Sequence, residues 1–273
     1  MLNSPMGHVI KGAKGWELEG MSLILVCNDD GVESEGLLRL ADAMREVGDV
    51  LVVAPDREQS ASSHSLTMNR PLRIQKLAGN LYSVNGTPTD CVLLAVHALL
   101  DGRKPDLLVS GINKGGNLGD DIFYSGTVSA AREGARMGIP SFAVSVAARK
   151  DFEFQGACEF SVKMARWILC NSPLGTVFFN VNVPNLPSRL IKGVRITRQG
   201  KRIYNGAVRA NRDEKGLLSY WIGGEEPGYL ELKDSDIEAV MEGWISLTPL
   251  RLDLTDEQAM SILEGLLSEK SPW

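Results

Sequence analysis

The run Leu23-Ile24-Leu25-Val26-Cys27 is apolar at every position and stops abruptly at Asn28-Asp29-Asp30-Gly31. An uninterrupted apolar run of this length is the pattern of a strand buried on both faces, as in a parallel sheet covered by helices. From Gly36 onward apolar residues recur at 37, 40, 41, 44 and 47, which is helical spacing, and Gly48 supplies the stop. Asp49-Val50-Leu51-Val52-Val53-Ala54 is a second apolar strand. The three segments form a βαβ unit, whose crossover implies parallel strands.

The alternation continues. Leu72–Gln75 and Leu81–Val84 flank Gly79-Asn80 and predict a hairpin at a sheet edge. Thr87-Pro88-Thr89-Asp90 places a capping residue, a first-turn proline and an acid before the apolar stretch Cys91–Leu100, which predicts a helix with His97 as a core residue. Leu107–Ser110 is another buried strand, and the glycine-rich segment from Gly111 to Ser125 is expected to be an irregular functional loop at the same sheet edge as Asp29. Thr127–Met137 predicts a helix stopped by Gly138, and Ser141–Val146 a further strand. This doubly wound α/β pattern runs to about residue 185.

Beyond Pro187 the character changes. Arg195–Arg198, Tyr204–Val208 and Ser219–Ile222 are short strand-like pieces between polar turns, predicting a protruding hairpin of the kind used in assembly. Asp236–Gly243, Trp244–Pro249 and a helix from about Thr255 to Leu267 complete the chain, with capping chemistry at Thr255-Asp256-Glu257. Residues 1–20 precede a fresh Met21 and read as an extension or cloning remnant. Residues 21–273 then form a single domain, with a Rossmann-like core over about 21–190 and a hairpin and tail over about 191–273.

Composition narrows the function. The chain has 273 residues, 44% hydrophobic and 23% charged, which are globular proportions, and its net charge of -5 argues against a surface built to neutralise duplex nucleic acid. No stretch has the roughly 18 apolar residues of a membrane span, and residues 1–20 lack a secretory apolar core, so a cytoplasmic location is expected. Cys27, Cys91, Cys158 and Cys170 form no C-x-x-C pair and read as buried thiols in a reducing compartment. The histidines His8, His64 and His97 are too scattered for a histidine-rich metal site.

The chemistry centres on Asp29 and Asp30. They leave a strand at its carboxyl end, where open α/β sheets bind ligands. Adjacent ionised carboxylates repel, so such a pair calls for a proton or a cation, and a hard divalent ion suits oxygen ligands. Asn28, Asp29, Asp30 and Gly31 are also favoured turn formers, which is the plainer reading. By position the best partners are Ser60, in the loop after the second strand, and Asn113, three residues past Ser110. Ser125-Gly126-Thr127 before a helix offers N–H groups and hydroxyls to a phosphate, or a simple N-cap. Lys114 adds a positive charge beside it, and His64 is expected to make a structural hydrogen bond.

Five motifs occur in order: Asn28-Asp29-Asp30-Gly31; Ala54-Pro55-Asp56-Arg57-Glu58-Gln59-Ser60-Ala61 with His64-Ser65; Asn85-Gly86-Thr87-Pro88-Thr89-Asp90-Cys91; Ser110-Gly111-Ile112-Asn113-Lys114-Gly115; and Tyr124-Ser125-Gly126-Thr127-Val128-Ser129-Ala130-Ala131. With them the chain resembles the stationary-phase survival protein SurE family, metal-dependent nucleotidases acting on nucleoside monophosphates. The resemblance implies metal ligands at Asp29, Asp30, Ser60 and Asn113, and phosphate contacts at Asn113, Ser125, Gly126 and Thr127. It implies one magnesium or manganese ion per subunit, and a homodimer or homotetramer that exchanges the hairpin and tail. The expected reaction is release of phosphate from nucleoside 5'-monophosphates, with 3'-monophosphates as a second class, by a metal-activated water. Asp29 and Asp30 are the catalytic acids, with Asp30 preferred as the base. A phosphoaspartyl mechanism is disfavoured because Asp29 starts no D-x-D spacing. The alternative from another class is a non-catalytic regulator that binds nucleotide and metal.

Overall fold

The computed structural model describes residues 22–171, 177–204, 208–222 and 228–269. The expected extension over residues 1–20, with His8, lies outside them, as does part of the expected strand Tyr204–Val208. In chain order the elements are β1 (Leu23–Cys27), α1 (Glu35–Met44), β2 (Asp49–Pro55), β3 (Ile74–Ala78), β4 (Leu81–Val84), α2 (Pro88–Leu94), β5 (Leu107–Lys114), α3 (Gly126–Arg136), β6 (Ser141–Ala147), α4 (Gln155–Asn171) and β7 (Phe178–Pro184). They continue with β8 (Val194–Ile196), β9 (Arg202–Ile203), β10 (Val208–Arg212), β11 (Leu218–Ile222), β12 (Gly228–Tyr229), α5 (Asp236–Met241), β13 (Ile245–Leu250) and α6 (Glu257–Glu269).

Nine strands form one sheet in the order β3-β4-β2-β1-β5-β6-β7-β13-β8. From β4 to β7 all neighbours are parallel, whereas β3 returns antiparallel on β4 and β13 antiparallel on β7. After β1 the chain builds outward to β2 on one side, and β5 later joins β1 on the other. The carboxyl ends of β1 and β5 therefore flank the point where strand order reverses, the crevice in which doubly wound sheets take ligands.

All five residues of β1 are buried because both faces are covered. Ile24 and Val26 pack with Leu37, Leu40 and Met44 of α1 and Ala165 and Ile168 of α4. Leu23 and Leu25 pack with Val92 of α2 and Ala130 and Ala131 of α3 on the opposite face. Burial of each such aliphatic side chain stabilises the fold by roughly 1.5–3 kcal/mol. The three-layer α/β/α arrangement is the one the apolar runs predict.

The caps are as the residue types suggest. Thr87 accepts from the Asp90 N–H at 3.1 Å, and Asp90 accepts from the Thr87 N–H at 2.9 Å, a reciprocal box that starts α2. Asp90 also accepts from the Thr67 N–H at 3.0 Å, tying down the long loop after β2. Asp256 caps α6 by accepting from the Ala259 N–H at 2.9 Å.

Three expectations are corrected. The glycine-rich segment after Ser110 is not wholly irregular: β5 continues to Lys114. Gly111, at φ +142, lets it do so, because a Cβ there would meet Val144 O at 2.3 Å, and the register with β6 shifts between Ser110 and Asn113. His97 is exposed rather than a core residue, since α2 gives way to a wider π-type segment over Ala95–Leu99 in which Ala95, Val96 and Leu99 take the buried face. Of the four thiols, Cys27 and Cys91 are buried, but Cys158 is half-buried and Cys170, near the end of α4, is exposed.

The hairpin β10–β11 pairs Val208 with Ile222 through Arg212 with Leu218, and its side chains are uncovered, Tyr220 and Trp221 among them. In α6, Ile262, Leu263 and Leu266 are likewise exposed.

Candidate active site

Four segments converge at the carboxyl ends of β1 and β5. The turn after β1 is fixed by Asn28, whose Nδ2 donates to Gly31 O at 3.0 Å and to Ser34 Oγ at 2.7 Å. That turn points Asp29 towards α3. Asp29 accepts from the Thr127 N–H at 3.0 Å through Oδ2 and from the Thr127 hydroxyl through Oδ1. The approach is possible only because residue 126 is glycine: a Cβ there would lie 2.8 Å from Asp29 Cβ and 2.7 Å from Ser62 Oγ. Ser125 caps the same helix by accepting from the Val128 N–H at 3.0 Å.

The backbone carries the other segments in. Asp29 O accepts from the Gln59 N–H at 2.7 Å, placing the loop after β2 beside the acid pair. Asp30 Oδ2 accepts from the Lys114 N–H at 3.1 Å, which joins the turn after β1 to the end of β5. In that loop the Ser60 hydroxyl donates to Glu58 Oε1 at 2.6 Å. On β5, Asn113 Nδ2 donates to Gly115 O at 2.8 Å.

The acids are electrostatically unsatisfied. Asp29 is 5% exposed, and burial, with the nearby charge of Asp30, pushes its carboxyl up to about 6 despite the Thr127 hydrogen bonds. Burial also raises Asp30, helped by the charge of Glu58 and opposed by Lys114. A cation between them would relieve both. The donors around it are hard oxygens, the set that suits magnesium, manganese or calcium. Ser60 sends its proton to Glu58, which leaves its lone pairs available, and Asn113 commits its nitrogen to Gly115, which leaves Oδ1 without a hydrogen bond among the described residues. No cluster of three or more His, Cys, Asp or Glu residues is found among the described residues, so any metal held here is completed by neutral oxygens.

A cavity of about 570 Å³ opens beside these groups. Asp29, Ser60, Asn113 and Ser125 line it together with Lys114 and Asn117. Asp30, Gly126 and Thr127 do not line it, and Thr127 is fully buried with its N–H and hydroxyl both given to Asp29. Of the donors expected to face a phosphate, those of Thr127 are thus already used inside the protein. Thr127 serves as the clamp on Asp29, a role that no local pattern announces because the two residues are 98 apart in sequence.

His64 makes the structural contact expected of it. Its Nε2 lies 2.9 Å from Glu133 Oε2, and Glu133, 3% exposed at its side chain, also pairs with Arg136 at 2.6 Å. Burial raises the Glu133 carboxyl, but the hydrogen bonds and charges of His64 and Arg136 outweigh it and hold the group at about 2. This latch fastens the Ser60 loop to α3. Glu58, Asp121, Tyr124 and Tyr204 were not singled out from sequence. Glu58 was findable, two residues before Ser60 in the same motif, whereas Tyr204 sits alone in a weakly patterned region.

Fold and site together define a Rossmann-like α/β protein with an oxygen-donor site at its topological switch point. A sequence model described as survival protein SurE matches residues 24–206. The chain is 50% identical over 243 residues to the 5'-nucleotidase SurE of Geobacter sulfurreducens, covering 89% of this chain and 92% of that protein. It is 49% identical over 242 residues to the 5'-nucleotidase SurE of Geotalea uraniireducens, covering 88% and 97%. The crystal structure of the SurE protein from Aquifex aeolicus superposes with a TM-score of 0.81 at 44% identity, covering 89% of this chain and 99% of that one. The chain belongs to the survival protein SurE family.

Proposed function

We propose that this protein is a metal-dependent phosphomonoester hydrolase, a 5'-nucleotidase that releases phosphate from nucleoside 5'-monophosphates. The observation that carries it is the acid pair at the switch point, Asp29 buried and Asp30 half-buried, beside oxygen donors and a cavity of nucleotide size, in a chain half identical to proteins named as 5'-nucleotidases.

One magnesium or manganese ion per subunit is held by Asp29, Asp30, Ser60 and Asn113. When bound, the ion supplies positive charge to the phosphoryl oxygens and lowers the pKa of a water. Thr127 fixes the Asp29 carboxylate in place, and Lys114 N–H fixes Asp30 through Oδ2. Asp30 Oδ1, the oxygen left over, accepts the proton of the attacking water. The Ser125 hydroxyl and the second Nδ2 hydrogen of Asn113, the one not given to Gly115, hold the phosphoryl oxygens as charge builds on them, and Lys114 adds its charge to the same group. Full turnover with undiminished metal binding in Asp30→Asn would remove the base from Asp30.

Asp29 is poorly placed as a phosphoaspartyl nucleophile, since each of its oxygens already accepts from Thr127. The exposed apolar side chains of β10–β11 and α6 support assembly into a homodimer or homotetramer through the hairpin and tail. Residues 21–273 act as a single unit, residues 1–20 as an extension, and the cytoplasm is the site of action. No helix among the described residues is long and apolar enough to cross a membrane.

The test is phosphate release from a panel of nucleoside monophosphates, with manganese, magnesium or chelator, in the native chain and in Asp29→Asn. Metal-dependent release abolished by the substitution is expected. A folded protein that binds nucleotide tightly and releases no phosphate under any ion would be a regulator instead.

A further inference from the structure

The cavity beside the acid pair has a chemically mixed lining. Its polar lining includes Asp29, Ser60, Asn113 and Ser125, and its walls also include the apolar surfaces of Tyr124, Tyr204 and Ile222. These three side chains are 62%, 49% and 89% exposed, so a large apolar surface stands open at the mouth of a polar site. Tyr124 and Tyr204 come from distant parts of the chain and line the same cavity.

One wall is held rigid. The Tyr204 hydroxyl donates to Asp121 Oδ1, while Arg202 Nε donates to Asp121 Oδ2 at 3.1 Å. Both oxygens of Asp121 are therefore occupied, so it acts as a brace for the ring and not as an acceptor for a ligand. Next to it Asp120 takes Lys201 Nζ at 3.1 Å, pinning the same segment a second time. Burial and the charge of Asp121 push the Tyr204 phenol up to about 12, which keeps its donated proton in place at any ordinary pH.

We propose that Tyr124 and Tyr204 are the two faces of a nucleobase subsite, and that Asp121 and Arg202 are positioning residues that fix the Tyr204 face. This rests on the hydrolase reading above and adds to it what recognises the part of the substrate away from phosphate. A flat, apolar-faced base fits walls of this chemistry, and base–aromatic stacking needs no edge hydrogen bonds.

The test compares adenosine monophosphate with ribose 5-phosphate, which carries the phosphate and sugar but no base, under the same metal. The readout is the ratio of the two kcat/KM values, which does not depend on the fraction of enzyme that is folded. Tyr124→Ala and Tyr204→Ala should each lower that ratio roughly 5- to 150-fold, mostly through KM for adenosine monophosphate. Tyr204→Phe, which keeps the ring and loses the brace, should lower it by less, and Asp121→Asn should follow Tyr204→Phe. A ratio unchanged in both alanine variants overturns the subsite, even if both substrates slow equally. Release from neither substrate by the native chain overturns the hydrolase reading itself, and the subsite with it.

Discussion

Replacing Asp29 by Asn should make the metal-free protein more stable while destroying its activity. The folded carboxyl titrates near 6 instead of 3.8, because burial and Asp30 outweigh the Thr127 hydrogen bonds. At 1.36 kcal/mol per pH unit, keeping Asp29 ionised in the fold costs roughly 3 kcal/mol at neutral pH. Asparagine removes that charge but presents an NH2 group to one of the two Thr127 donors, a loss of about 1 kcal/mol or somewhat more. The net gain is roughly 1–2 kcal/mol, or about 2–8 °C in Tm for a chain of this size. The sign with pH follows. Above 6 both folded and unfolded carboxyls are ionised and the cost is complete; as pH falls through 6 the folded group takes up its proton first, and below 3.8 the cost is gone. Thermal melts in chelator at pH 7.5 and pH 4 check this. A variant less stable than the native chain at pH 7.5, or an advantage of equal size at pH 4, would refute the reasoning. Adding manganese should then raise the Tm of the native chain but not of the variant.

The Glu133 latch has the opposite sign. Its carboxyl is depressed from 4.5 to about 2, so the stability it supplies, roughly 3 kcal/mol, is complete above 4.5 and lost as pH falls towards 2; Glu133→Gln should cost that much in denaturant melts at pH 7 and much less at pH 2.5. Asp236 is fully buried and accepts from Gly119, Gly200 and Ile237 N–H groups at 2.9, 2.8 and 2.8 Å. Asp236→Ala should therefore cost roughly 2–4 kcal/mol in stability, less than three orphaned donors alone because a desolvated charge leaves with it. Gly126→Ala puts a Cβ 2.8 Å from Asp29 Cβ, and displacement of that carboxylate should lower kcat about 100-fold with the far-ultraviolet circular dichroism unchanged.

The parts of the fold legible in the sequence are those where one physical requirement dominates. Strands β1 and β2 are covered on both faces, and their nearly unbroken apolar runs announce that burial. The end of β5 was hidden because glycine normally breaks a strand, whereas Gly111 creates a bulge against Val144 and the ladder resumes at Asn113. His97 was misplaced because an apolar neighbourhood in sequence does not say which face of a helix a residue takes, and the wider turn there rotates it outward.

At the site, the positions of Asp29 and Asn113 were readable as strand ends flanking one switch point. What the acids touch was not. The Thr127 clamp and the Tyr204 wall depend on contacts between segments far apart in sequence, which periodicity does not record.

The most direct measurement is a calorimetric titration of manganese into the native chain, Asp29→Asn, Asn113→Ala and Ser60→Ala, with phosphate release from adenosine monophosphate assayed on the same samples. The account predicts one ion per chain, binding abolished in Asp29→Asn and weakened in the other two, and activity falling in step with occupancy. Undiminished binding in all three variants, or full activity in chelator, would contradict it.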